Sequence, residues 1–290
     1  MFVSRSISWV AGGLLSLAVA ASAPAAAQSQ PQCIDLGPAR QFNAFVAWDY
    51  WGWSSDVEGS LGVGGSAHLY GYSVGARLTA EAPFAAALVA GRDVELYGVG
   101  VQGNVSYGTS IALGGVGIAG TTAQESSFDF GAAGASLATA SAAFAALPAN
   151  GATSSQWGAL HLDGSDPSLN VFTVQAWELA SSWGVYVNVP AGSSVVVNVA
   201  GDGAKFWYMD VEVPGVAPEQ VIWNLPDVTW LQVEGVGVVG SVLAPRAWVS
   251  FSNGVIQGQL FGAGFDGSGQ TNLHPFGACV APAAQGQPAE

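Results

Sequence analysis

Basic residues are the scarcest feature of this 290-residue chain: six Lys and Arg stand against twenty Asp and Glu, a formal net charge of −14. A surface of that sign repels nucleic acid and anionic membranes, so neither is expected as a partner. Charge of either sign is sparse, at 9% of residues, while half of all residues are apolar. That balance excludes a disordered chain. Cysteine is nearly absent too, with only Cys33 and Cys279. In an oxidising compartment the pair forms one disulfide, two reduced thiols being the alternative. In the chain-entropy model a bond closing so long a loop contributes roughly 5 kcal/mol. It would also bring both ends of the chain together, marking residues 33–280 as one domain. Two cysteines among distant histidines have no zinc-ligand spacing.

Long apolar runs are missing beyond the first segment. Arg5, the apolar stretch Ile7 to Ala20 and the A-x-A-like Ala25 to Ala27 read as a signal peptide over residues 1–27. No later stretch reaches membrane-spanning length. The protein is therefore expected to be secreted or extracellular, without an integral membrane span. Residues 281–290 read as a short disordered tail with no hydrophobic anchor.

Catalytic and metal motifs are lacking as well. His68, His161 and His274 stand at no ligand spacing and in no H-E-x-x-H pattern. The one G-x-S-x-G string, GYSVG at 71–75, lies among glycine-rich strand segments without the strand–turn–helix context of a nucleophile elbow, so an α/β-hydrolase is not expected. Asp56 and Glu58, placed on one strand, would share a face, a geometry that suits Ca²⁺. Calcium needs six or more oxygens, however, and no D-x-D-x-D-G loop surrounds the pair. Asp56 stays a weak calcium candidate, and no cofactor is expected. A carbohydrate-active enzyme on a β-helix scaffold is one alternative, but it needs paired carboxylates or a basic group beside metal ligands. After residue 27 the basic groups are only Arg40, Arg77, Arg92, Lys205 and Arg246. We therefore read the chain as non-enzymatic.

Glycine is plentiful, at forty residues, and it sits in a repeat. VEGSL (57–61), VQGNV (101–105), VVGSV (238–242) and IQGQL (256–260) share one pattern: apolar, any residue, Gly, small polar or amide, apolar. Strand alternation turns Val57, Gly59 and Leu61 inward and Glu58 and Ser60 to solvent. The last two copies start 18 residues apart and the first two 44 apart, about two coils of 22; LYG at 69–71 recurs 27 later at 96–98. Such periods predict a mainly β fold, a β-helix or β-solenoid, with a β-sandwich as the alternative. Ser126 to Leu147 is alanine-rich, and its Leu137, Ser141, Phe144 and Leu147 keep helical spacing. Ser127 or Asp129 caps its start and Pro148 follows, so one lateral α-helix lies along the solenoid. From Asn170 strands resume in NVFTV, VYVNVP and SVVVNVAGDG.

These segments resemble the choice-of-anchor A family, an adhesin domain of exported bacterial proteins. The resemblance rests on FNAFV (42–46), SDVEGSLGVGG (55–65), YSVG (72–75), DGSDPSLNVF (163–172), VNVPAGSSVVVNVAG (187–201), IWNLPDV (222–228), GVVGSVLAPRAWVSFSNGVIQGQLFG (237–262) and LHPF (273–276), in that order. It implies a β-helix-like adhesive module, and it implies no catalytic residues. The varied C-terminal anchors of relatives have no counterpart in the residues after Cys279, so attachment by that route is not expected. Partners implied are an extracellular polysaccharide or surface protein, with self-association among the options. The candidate ligand-binding residues are Trp48, Tyr50, Trp51 and Trp53 of WDYWGW. Alternation sets Trp48 and Tyr50 on one face and Trp51 and Trp53 on the other. Such aromatics stack on sugar rings or anchor protein contacts, or else cap the open end of the solenoid. Ice binding is a further alternative. It asks for a regular, often threonine-rich face, whereas the outward repeat positions are Glu58, Ser60, Gln102, Asn104, Val239, Ser241, Gln257 and Gln259.

Overall fold

A computed structural model describes Met1 and residues 33–78, 86–125 and 127–281. The signal-peptide reading of 1–27 and the tail at 282–290 lie outside the described residues. From Cys33 on, the chain winds a three-sided β-solenoid. The N-terminal half enters through a 3-10 turn, Gly37–Gln41, and then makes short coils. The first is β1 (Ala44–Val46), β2 (Tyr50–Trp53) and β3 (Asp56–Val57), the second β4 (Leu61–Val63), β5 (Ala67–Tyr70) and β6 (Ser73–Val74). The third is β7 (Ala86–Ala90), β8 (Val94–Tyr97) and β9 (Gly100–Val101). The fourth is β10 (Asn104–Tyr107), β11 (Ile111–Gly114) and β12 (Gly117–Ile118), and β13 (Thr122–Gln124) follows.

Helix α1 (Phe130–Ala145) then leads to the C-terminal half. There a hairpin of β14 (Ala152–Gln156) and β15 (Ala159–Asp163) precedes β16 (Leu169–Gln175), a short helix α2 (Ala176–Ser181) and β17 (Gly184–Asn188). Coils follow of β18 (Ser194–Ala200), β19 (Gly203–Trp207) and β20 (Asp210–Glu212), then of β21 (Val221–Asn224), β22 (Trp230–Glu234) and β23 (Gly237–Val239). The last two are β24 (Ser241–Ser252) with β25 (Val255–Gln257), and β26 (Leu260–Gly267) with β27 (Gln270–Asn272); β24 and β26 each bend across two sides.

Stacking is parallel throughout, apart from the antiparallel β14–β15 hairpin. The expected solenoid is present, and the sandwich is not. The chain does not wind monotonically, however. β26 pairs with both β1 and β2, so the last coil closes on the first in the middle of the molecule. The N-terminal half grows from this waist toward one end, and the C-terminal half returns to it from the other. The Cys33–Cys279 disulfide joins the two ends of the path across 246 residues of sequence.

One side is covered. Phe45, Phe261, Leu243, Ile222 and Val196 point outward from it, and α1 buries them under Ala133, Leu137, Ala140 and Phe144. The Asp129 side chain caps the helix by accepting from the Ala132 N–H at 2.8 Å. Ser141 donates to Asn224 at 2.6 Å, and Asn224 in turn donates to Asn198, a buried ladder that fixes the helix in place. A second helix, α2, was not anticipated.

The glycine repeat marks a corner of the coil, not one extended strand. Val57, Val101, Val238 and Ile256 are fully buried, as expected, and so are Leu61, Val105, Val242 and Leu260. The polar position behaves differently. Ser60, Ser241 and Gln259 are buried, because a corner leaves backbone groups without strand partners. Ser60 donates to the Gln41 carbonyl, and the Gln259 amide donates to the carbonyls of Arg40 and Phe42. Glu58 is likewise engaged: it accepts from the Leu273 N–H at 2.8 Å and pairs with Arg77 at 3.6 Å.

Candidate functional site

Among the described residues no helix lies across the outer face of a second side of the solenoid. Its strands, in spatial order, are β19, β22, β24, β26, β2, β5, β8 and β11. In register, Lys205, Gln232, Ser250, Asp266, Trp51, His68, Glu95 and Ala112 form one outward row. At about 4.8 Å per strand step the row runs roughly 34 Å. A neighbouring row aligns Trp53, Tyr70 and Tyr97. Another sets Trp230 beside Trp248. Trp51, Trp53, Tyr70, Tyr97, Trp207, Tyr208 and Trp230 are all exposed.

The rings are held in place. Trp51 stacks on the His68 imidazole at 3.7 Å between centroids and 12° between planes, and Tyr70 stacks on Tyr97 at 5.7 Å and 5°. Carboxylates on this face act as acceptors for the aromatic rows. Glu95 pairs with His68 Nδ1 at 2.9 Å and accepts from the Tyr70 hydroxyl at 3.2 Å. Glu234 accepts from Tyr208 at 2.8 Å, and Asp266 accepts from the Trp248 indole N–H and from Ser250. The hydrogen bond from His68 holds the Glu95 carboxyl below its ordinary range. Lys205 lies over the Trp207 ring at 5.8 Å. An acid beside an aromatic thus recurs in both halves, and each acid fixes a ring orientation before any ligand arrives.

The sequence-predicted residues divide. Trp51 and Trp53 share the open side, 40% and 42% exposed. Trp48 is exposed but sits in the corner before β2. Tyr50 is a correction: it is fully buried, stacks on Phe265 at 4.1 Å and bonds the Tyr72 hydroxyl at 2.9 Å. Burial pushes its hydroxyl well above the usual phenol range. It belongs to the core because β2 turns Tyr50 inward with the Phe265 column. The segment does not cap an open end either, since β2 lies between β26 and β5 at the waist. Asp56 opens β3 on the third side, half-buried, its carboxyl raised first by burial and then by the Glu58 charge. Among the described residues no three His, Cys, Asp or Glu side chains gather as metal ligands. His161 stacks on Tyr186 at 5.5 Å and His274 pairs with Glu219 at 2.8 Å, each in a different neighbourhood.

Sequence reasoning missed Tyr70, Tyr97, Trp207, Tyr208 and Trp230. The first two were within reach: LYG recurs at 69–71 and 96–98, and an inward leucine sends the next residue outward. The other three carry no repeat.

A family model described as "Putative Ice-binding-like adhesive domain" matches residues 35–273. The chain belongs to this family. The match supports an adhesive domain under that description, and choice-of-anchor A is not the name it carries. No curated protein matches the chain. Among solved structures, an ice-binding protein from the Antarctic ascomycete Antarctomyces psychrotrophicus is similar at 15% identity and a TM-score of 0.41, over 84% of this chain and 98% of that one. An ice binding protein from an Antarctic biological consortium is similar at 16% identity and a TM-score of 0.42, over 84% and 92%. A third, from an Antarctic Flavobacteriaceae bacterium, shares 12% identity at a TM-score of 0.34, over 79% of each chain. Among the described residues no helix is long and apolar enough to cross a membrane.

Proposed function

We propose that this chain is an extracellular, non-catalytic adhesive module that holds an uncharged polysaccharide along its open aromatic side. The observation that carries this reading is the set of exposed rings along one side of parallel strands, with Trp51, Tyr70 and Tyr208 held by histidine or acid partners. Sugar rings present C–H faces that stack on such rings, and Tyr and Trp are the side chains that most often anchor a binding surface. The net charge of −14 favours a neutral polymer over an anionic one. A disulfide suits an oxidising, extracellular setting. The choice-of-anchor A resemblance agrees with adhesion, and the reading needs no cofactor. The test is a glycan array with insoluble-polysaccharide pull-down, comparing the parent with Trp51→Ala/Trp53→Ala. At least a tenfold loss of binding is expected, the scale of a truncated hot spot. Unchanged binding in the variant, or new reducing ends released from the bound polymer, would overturn the reading.

A second reading, ice binding, is favoured by the family's own description. Its test is thermal hysteresis and inhibition of ice recrystallisation. A signal in both, abolished by substitutions on the open side, would move the assignment to ice.

A further inference from the structure

The two ends of the solenoid are finished differently. At the C-terminal half's end, α2 follows β16 directly and packs over β16 and β19, in the place where another strand would stack. The antiparallel β14–β15 hairpin closes the third side there. At the N-terminal half's end, β11, β12 and β13 are each the outermost strand of their side among the described residues. The core columns run out in the same place. Val94, Leu96, Val101 and Val105 are fully buried, and the residues stacked on them are Ile111, Leu113, Ile118 and Thr122. Leu113, which points inward, is 49% exposed.

An end with three strand edges and an uncovered core column is a template for further strands. Natural edges are blunted by charge, proline or bulges, and solenoid ends by caps. Residues 105–124 contain no charged residue and no proline, whereas the preceding coil carries Arg92, Asp93 and Glu95 and the first coil Asp49, Asp56 and Glu58. In a chain of net charge −14, a second copy approaching these strands meets few acids, Glu125 at the exit of β13 being the first after residue 104.

We propose that the open end formed by β11, β12 and β13 is a self-association surface, at which two copies pair end to end across a two-fold axis. A second copy presents three strand edges at the same spacing and the same apolar columns. Rotating a three-sided end about an axis in its own plane brings one side onto itself, antiparallel, and exchanges the other two. The helix-capped end offers no matching edge for head-to-tail growth, so the assembly closes as a dimer instead of extending as a filament.

The test is sedimentation velocity of the purified protein over a wide concentration range, with small-angle scattering for shape. The expected result is a particle of twice the chain mass, elongated along one axis. Leu113→Lys/Ile118→Lys is expected to weaken the dimer at least tenfold. Hydrogen exchange of the β11–β13 amides in the parent, which needs no variant, is expected to slow as concentration rises. A monomer at every concentration overturns the proposal, as does a dimer unchanged by the substitutions in a variant with an unaltered circular dichroism spectrum. Side-to-side particles, or open-ended assemblies, overturn it too.

Discussion

Both halves of the solenoid build the same cross-section from coils of two different lengths. In the N-terminal half, Val57, Val74, Val101 and Ile118 stack in one column at steps of 17, 27 and 17 residues. In the C-terminal half, Val195 to Val221 takes 26 residues and Val238 to Ile256 takes 18. What the coils share is the set of inward side chains, because a column must keep its packing while a corner is open to insertion. At Gly64, Gly91 and Gly108 a side chain would run into the carbonyl of the coil before, so stacked turns there demand glycine. The halves differ at their far ends: a helix finishes one, and among the described residues strand edges finish the other.

The sharpest way to test that difference is a matched pair of truncations in one column. Leu96 is fully buried and Leu113 stacks on it from the open end. Leu96→Ala is expected to cost about 3 kcal/mol, within the usual range for a buried leucine, and Leu113→Ala less than about 1 kcal/mol. Denaturant melts at a concentration where the chain is monomeric would measure both. Equal losses would mean that the open end is as well packed as the interior.

The waist is the next target. The Asn43 amide donates to the carbonyls of Gly258 and Asn272 and accepts from the Gly59 N–H, tying both halves together. Asn43→Ala is expected to cost about 2 kcal/mol, because it leaves buried backbone groups without partners. A transition that splits into two steps would show that the halves unfold separately once the tie is cut. An unchanged melt would remove Asn43 from the account.

The smallest effect concerns acid. Glu95, held below the ordinary carboxyl range by its hydrogen bond with His68, binds protons less readily folded than unfolded. Its contribution is present above the ordinary carboxyl pKa of about 4.3 and is lost as pH falls through the depressed value. Glu95→Gln is expected to reduce the drop in Tm between neutral and acid pH slightly, since the site is solvent-screened. An identical drop in parent and variant would show that the His68 contact is not formed in solution.

Much of this was legible locally and the rest was not. The 18- and 27-residue spacings are real coil steps, and the Val and Leu of the repeat turn inward as read, while its glycine stands at the corner, where a side chain would meet the neighbouring coil. The 44-residue spacing was misread as two equal coils, because one coil of 17 and one of 27 give the same total. WDYWGW gave Trp51 and Trp53 but also Tyr50, whose fate is set by Phe265, more than two hundred residues away. The buried roles of Ser60 and Gln259 escaped for a related reason. A period of two describes strands, and these residues stand at corners, where backbone partners matter more than alternation. The open side as a unit could not be read, since β26 joining β2 is a closure between distant coils with no shared motif.

The Cys33–Cys279 bond has a mechanical consequence. Everything between those residues lies inside one covalent loop. Tension applied to the chain before Cys33 and after Cys279 passes through the sulfur–sulfur bridge and bypasses every coil. A module tethered at one side and loaded at the other would keep its aromatic face intact under pulling force for as long as the bridge stays oxidised.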